Sequence, residues 1–164
     1  MKPTPLEKPV SASAVSLAQL MHPEHSNLLG NVHGGWIMKL VDEAGALACM
    51  RHSLHKVVTV AVDQMTFRQP IRVGDLVVIS AEVSYVGSTS MEAEVHVTAE
   101  NPVTGECTHT NTAYLVYVAL DEEGNPTHVP GLIPETPAQK ERMEEGKDRQ
   151  VHRLSQLKNR YSER

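Results

Sequence analysis

One apolar helical run, set alone among strand-like segments, constrains the fold of this 164-residue chain more than anything else in it. It lies in SNLLGNVHGGWIMKLVDEAGALA, residues 26–48. A polar loop leads into His33-Gly34-Gly35, and residues 35–50 then read as a helix rich in Ala, Leu and Met. At about 100° per residue, Trp36, Leu40, Ala44 and Leu47 share one face, and Ile37, Val41 and Ala48 lie beside it. Lys39, Asp42, Glu43 and Ala46 occupy the narrow strip that is left. A helix that is apolar over most of its circumference has to be surrounded, so the rest of the chain must supply the surroundings.

Those surroundings read as strands. VSLAQLM (15–21), VVTVAVDQMTF (57–67), LVVISAEVSYV (76–86), MEAEVHVTA (91–99) and CTHTNTAYLVYVAL (107–120) are β-branched, alternating, or both. In MEAEVHVTA, Met91, Ala93, Val95, Val97 and Ala99 take one face, while Glu92, Glu94, His96 and Thr98 take the other. Pro70 and Gly74, the GSTS of 87–90, NPVTGE and DEEGNP punctuate the series. One strand, one helix and four strands joined by short turns predict an α+β fold. Its antiparallel sheet wraps around one central helix, a hotdog-like arrangement. Residues 1–12, rich in Pro and Lys, read as a flexible N-terminal segment, and 13–133 as the domain. Residues 134–164 read as a charged C-terminal helical extension. Its thin apolar stripe is Met143, Val151, Leu154, Leu157 and Tyr161, with Gly146 as a weak point.

Charge and composition narrow the partners. The formal net charge is −5, divided into +2 on residues 134–164 and −7 on the body. An acidic body is poorly matched to duplex nucleic acid, where affinity comes mostly from neutralising phosphates. No apolar window is long enough for a membrane span. Cys49 and Cys107 form no framework, and the N-terminus lacks a signal peptide's apolar stretch, so a cytoplasmic protein is expected. His22, His25 and His33 match no strong zinc spacing, and no metal is expected.

The helix start carries the chemistry. The first N–H groups of a helix lack internal partners and bear partial positive charge. Gly34 and Gly35 there suit an oxyanion hole, although glycine pairs are common in tight turns and a turn without a ligand is the favoured reading of this feature alone. Asp42, two turns in, neighbours Met38, Gly45, Ala46 and Cys49, so small side chains leave room beside its carboxylate. Glu43 can pair with Lys39 four residues back. Asp42 reads either as a general base or as a surface acid near Lys39.

The stretch NLLGNVHGGWIMKLVDEAGALACMRHS resembles the helix signature of hotdog-fold acyl-CoA thioesterases, of the brain-type cytosolic and bacterial YciA-like kind. The likeness continues through VTVAVDQMTFRQPIRVGDLV, GSTS and TAYLVYVALDEEGNPTHVP, so it covers residues 15–132 in order. It implies hydrolysis of fatty acyl-CoA to free fatty acid and coenzyme A, with coenzyme A as part of the substrate and no separate cofactor. It implies Asn27, fifteen positions before Asp42, as a catalytic residue, and Asp42 as base or nucleophile. The Gly35 N–H, with that of Gly34, would hold the oxyanion. Double-domain relatives split the Asn and the Asp between repeats. One repeat carrying both therefore implies a homodimer with Asn27 from one subunit and Asp42 from the other, and a trimer of such dimers. Substrate contacts are expected from Trp36, Thr59, Arg68 and Gly87, Ser88, Thr89 and Ser90. Arg51, Lys56 and Arg72 are further candidates for the 3′-phosphate. A non-catalytic acyl-CoA sensor and a dehydratase with His33 as base are the alternative functions on such a fold.

Overall fold

The computed structural model describes the backbone of residues 6–162 and the side chains of residues 6–159. The elements run β1 (Glu7–Pro9), β2 (Val15–Leu20), α1 (Gly34–Ser53), β3 (Lys56–Met65), β4 (Leu76–Val86), β5 (Ser90–Glu100), β6 (Cys107–Leu120), β7 (Gly131–Ile133) and α2 (Pro137–Ser162). Five strands form one antiparallel sheet in the order β2-β4-β5-β6-β3, and β1 pairs in parallel with β7 outside it. The sheet curls around α1, as the pattern predicts.

Alternation on β5 sets the layering. Met91, Ala93, Val95 and Val97 are fully buried and face α1. On β6, Ala113, Leu115, Tyr117 and Ala119 do the same. The helix answers with Ile37, Val41, Ala44, Ala48 and Cys49, all but sealed from solvent. Burying each larger aliphatic side chain contributes roughly 1.5–3 kcal/mol, so this single sandwich of helix and sheet dominates the stability. The buried face of α1 is centred on Ile37, Val41 and Ala44, and is rotated away from the expected Trp36–Leu47 face. Leu47 is 38% exposed and Met38 46% exposed, on opposite flanks of the buried face.

Two expectations are corrected. Residues 7–12 are not a loose segment: Glu7–Pro9 pair with Gly131–Ile133, and Val10 is buried. Lys8 carries its ammonium to the Arg51 and His52 carbonyls at the C-terminal end of α1, where the unpaired carbonyls and the helix dipole favour a cation. Residues 1–5 lie outside the described residues. Nor is Gly146 a weak point. A Cβ there would come within 2.7 Å of Tyr85 Cβ and 2.9 Å of Glu92 Oε1, so the missing side chain is what lets α2 lie close on the sheet. Of the thin apolar stripe on α2, the side chain of Tyr161 lies outside those described. Among the described residues, no helix is long and apolar enough to cross a membrane.

The sheet's outer face explains why α2 docks. Glu92 and Glu94 alternate with the core residues of β5 and look solvent-facing in sequence. In the structure they are 1% and 5% exposed, because α2 covers them. Arg149 pairs bidentately with Glu92 at 2.8 and 3.0 Å and stacks 3.8 Å over the Tyr114 ring. Arg142 bridges Glu82 and Glu94. Buried carboxylates need such partners, since removing one side of a buried pair typically costs about 3–5 kcal/mol.

His52, at the end of α1, is fully buried and donates its Nε2–H to the Pro130 carbonyl at 2.9 Å. Its Nδ1 has no partner among the described residues. Burial first, and the charge of Lys8 after it, hold the imidazole below its ordinary value of 6.5, although the Pro130 bond pulls the other way. The unfolded chain therefore takes up a proton that the native chain refuses, and stability is full above about 6.5 and lost as the pH falls from there through the native value. The urea midpoint should drop between pH 7 and pH 5, and His52→Gln should flatten that drop. An equally steep drop in the variant would remove His52 as the cause.

Candidate active site

Asp42 is fixed by groups on two strands of the sheet. Its Oδ1 accepts the Thr59 hydroxyl of β3 at 2.8 Å. The Tyr117 hydroxyl of β6 lies 2.9 Å from the Asp42 carbonyl oxygen and 3.1 Å from the same Oδ1, so its one proton is shared between them. Thr59 and Tyr117 are cross-strand partners in the β3–β6 register, which is why both reach one carboxylate. Burial, and then the charge of Asp42, push the Tyr117 phenol well above its usual range, so it stays a donor. The Asp42 Oδ2 has no protein partner among the described residues.

The space that the sequence leaves beside Asp42 belongs to Tyr117. Gly45 lies one turn on from Asp42, and a Cβ there would meet the Tyr117 hydroxyl at 2.5 Å. Sequence reasoning misses Tyr117 because it reads as one more inward residue of a long strand. The available signal is the helical glycine three positions beyond the acid, where alanine is the better helix former.

Asp42, Thr59 and Lys39 line a cavity of about 340 Å³ whose other walls are apolar, from Gly35, Met38, Val41, Val62, Met65 and Leu115. Its open side is the β3 edge, where Val58, Val60 and Val62 are 44–55% exposed. Bulges follow Thr59 and Val62 on this edge strand.

Asn27 is elsewhere. It lines a second cavity of about 290 Å³ with Asn31, Gly34, Phe67 and Arg68. Its Oδ1 accepts the N–H groups of Leu29 at 2.9 Å and Asn31 at 3.3 Å. Backbone donors need an oxygen there, which fixes the orientation of the side-chain amide. Asn27 therefore has only its NH₂ to offer a ligand, and within one protomer Asn27 and Asp42 do not line the same cavity.

The helix start differs from expectation in one respect. His33 caps α1, and its Nδ1 accepts the Gly35 N–H at 2.9 Å. The expected oxyanion donor is thus engaged by the cap, while the Gly34 N–H has no partner among the described residues. Gly34 packs against the Phe67 ring, 3.4 Å from where its Cβ would be. Trp36 does not line the Asp42 cavity. It stacks on His25 with ring centroids 4.2 Å apart and donates its Nε1–H to Gln19 at 3.2 Å, bracing the loop that holds Asn27.

The GSTS segment is a hairpin between β4 and β5. The Gly87 N–H donates to the Ser90 carbonyl, the Thr89 carbonyl accepts from Ala119, and the Ser88 carbonyl accepts from Val129. Ser88 Oγ lies 3.1 Å from His128 Nδ1. Arg68 shares the Asn27 cavity. Arg51 is turned to the Ala14 carbonyl, and Arg72 lines a separate polar cavity.

Gly45→Ala should lower the thermal midpoint by driving a methyl into the Tyr117 hydroxyl, a cost of about 1–3 kcal/mol for overpacking. In a Tyr117→Phe background part of that loss should disappear, because the hydroxyl contact is gone while the ring atoms at 3.1 Å remain, and neighbours that share a contact are not additive. Strict additivity of the two changes would refute the contact.

Comparison with known proteins fits this arrangement. A family model described as the thioesterase superfamily matches residues 29–106. The cytosolic acyl coenzyme A thioester hydrolase of Rattus norvegicus is 41% identical over 142 residues, which cover 85% of this chain and 37% of the rat protein. The chain thus spans little more than a third of that relative's length. An acyl-CoA hydrolase from Staphylococcus aureus, solved in complex with butyryl coenzyme A, coenzyme A and coenzyme A disulfide, superposes with a TM-score of 0.87 at 31% identity, covering 95% of each chain. That enzyme has also been solved as single alanine variants of an Asp, a Thr and an Asn. An apo-hexameric acyl-CoA thioesterase superposes at 0.88 with 35% identity, over 92% of this chain and 97% of the other. With likeness this complete over nearly the whole length of each solved structure, the chain belongs to the acyl-CoA thioester hydrolases of the thioesterase superfamily.

Proposed function

We propose that the protein hydrolyses acyl-CoA thioesters to a free carboxylic acid and coenzyme A, at a site assembled between two copies of the chain paired along β3. The observation that carries this reading is Asp42. Thr59 and Tyr117 tie one carboxylate oxygen, and the other is free in a cavity lined mainly by aliphatic side chains. A carboxylate held this way presents one oxygen in a fixed direction, as a base acting on a bound water requires.

Asp42 Oδ2 takes a proton from water as the oxygen attacks the thioester carbonyl carbon. In the variant mechanism Oδ2 attacks directly, and water then cleaves the acyl anhydride. The C–S bond breaks, and the thiolate leaves without a strong acid because thiols have pKa values near 8.5. Two donor groups suit the oxyanion: the side-chain NH₂ of the partner's Asn27 and the helix-start amides. Of those amides, the Gly34 N–H is free, and the Gly35 N–H becomes available if His33 turns away.

Pairing along β3 is supported by the row of half-exposed valines, by the open side of the Asp42 cavity, and by the separation of Asn27 from Asp42 within one protomer. A hexamer built from three such dimers is proposed on the likeness to the hexameric relative. Arg68 and the Gly87–Ser90 hairpin are proposed to hold the coenzyme A phosphates and pantetheine amides through charge and donor groups. Residues 13–133 are proposed as the hydrolase domain, with 134–164 as an accessory helix. A cytoplasmic setting is proposed from the free thiols of Cys49 and Cys107 and from the relatives named cytosolic.

Asp42→Asn should lower thiol release from acyl-CoA substrates by about 10²–10⁴-fold, the usual cost of losing a positioned base. The expected change falls on kcat, with KM held within a few-fold. Near-normal turnover by the folded variant would remove Asp42 from the mechanism.

A further inference from the structure

α2 does not run along the strands; it crosses them. Arg142 reaches Glu82 of β4 and Glu94 of β5. Gly146 abuts Tyr85 and Glu92. Arg149 takes Glu92 of β5 and lies over Tyr114 of β6. Arg153 pairs with Asp63 of β3, the edge strand. The contacts advance in strand order, β4, β5, β6, β3, at sequence steps of four, three and four. Eleven residues of helix cover about 16 Å, which matches three spacings of about 4.8 Å between strands.

The helix does not stop at the edge. Residues 154–162 continue for about 13 Å, between two and three strand widths, past Arg153 at β3, the last strand in the sheet's order. Leu157 is the next position of the sheet-facing stripe, four residues after Arg153, yet it is 44% exposed. Leu154, on its flank, is 49% exposed, and Val151 60%. A docking stripe that turns apolar where its own sheet ends is built to sit on something. The overhang carries Lys158 and Arg160 and no acid, while the body of the chain has a net charge of −7.

We infer that the overhanging end of α2 spans the seam between two copies of this chain, with Leu154 and Leu157 packed on the outer surface of the second copy. The occupant is a second copy because the overhang leaves the sheet at β3, the edge through which pairing is proposed above, and this inference rests on that pairing. Two-fold symmetry about β3 sends the two overhangs in opposite directions across one continuous sheet, so each covers the other protomer. The basic overhang then lies over an acidic body. The inner face of the seam holds the active site and the outer face is strapped shut, so α2 serves the site from the far side of the sheet.

Sedimentation equilibrium over a concentration series tests this with wild type and Leu154→Glu/Leu157→Glu. The variant should raise the dissociation constant of the pair by about tenfold or more, since burying even one leucine is worth that factor. Its thiol-release activity should fall on dilution at concentrations where wild type holds. A chain ending after Arg153 should behave alike, which guards against a local effect of the glutamates. Val103→Glu, on the exposed β5–β6 turn, should leave assembly where it is. An unchanged dissociation constant in both altered chains would overturn the strap and leave the dimeric site standing. A wild type that is monomeric throughout would overturn the pairing and the strap together.

Discussion

The structure depends on one constraint: a single helix is enclosed by a sheet on every side except one. Enclosure makes the covered side of α1 apolar and lets a carboxylate at its margin find partners in the sheet. Asp42 does so through Thr59 and Tyr117, neighbours across β3 and β6. Gly45 keeps the helix close enough for the phenol to reach. The same constraint fixes where chemistry can happen. The strip of α1 from Gly35 through Met38 to Asp42 meets a space that a substrate can enter, and that space opens on the β3 edge. Protein stability and the direction of one carboxylate oxygen therefore come from the same contacts.

The outer face of the sheet follows a different logic. Its carboxylates, Glu82, Glu92 and Glu94, are matched by arginines spaced along α2. Charge, not apolar area, sets the helix across the strands, with Gly146 allowing close approach. Buried ion pairs of this kind serve placement more than stability, and what they place is a helix that runs past the sheet's free edge.

Much of this is legible in the sequence, for physical reasons. The 20 residues of α1 announce themselves because a helix with one narrow polar strip has few other places to go, and the expected 35–50 differs from Gly34–Ser53 only at the ends. Strict alternation on β5 gives its core face residue by residue. What alternation cannot tell is whether the other face meets water or a helix, so Glu92 and Glu94 read as solvated although they are buried. The three-residue strands β1 and β7 carry no periodicity and depend on pairing between residues far apart in sequence. At the site, Thr59, expected only as a substrate contact, donates its hydroxyl to Asp42. Tyr117 is hidden by its resemblance to an ordinary core residue. His33, which the sequence offers as a base or a metal ligand, turns out to cap the helix that follows it. Trp36 is misplaced by the helical wheel because the sheet's curl, which no local pattern encodes, rotates the buried face of α1 by part of a turn.

The central claim is that one protomer holds the carboxylate and the other the amide of each site. Mixing chains that carry Asp42→Asn with chains that carry Asn27→Asp tests it most directly, since the aspartate keeps the loop's acceptor oxygen and loses only the NH₂. Each variant alone should be nearly inactive in thiol release. Random reassociation should restore about a quarter of wild-type activity, because half of the dimers then hold one intact site of two under two-fold symmetry. Activity of the mixture no greater than the sum of the separate variants, with mixed dimers demonstrated by mass, would contradict the shared site.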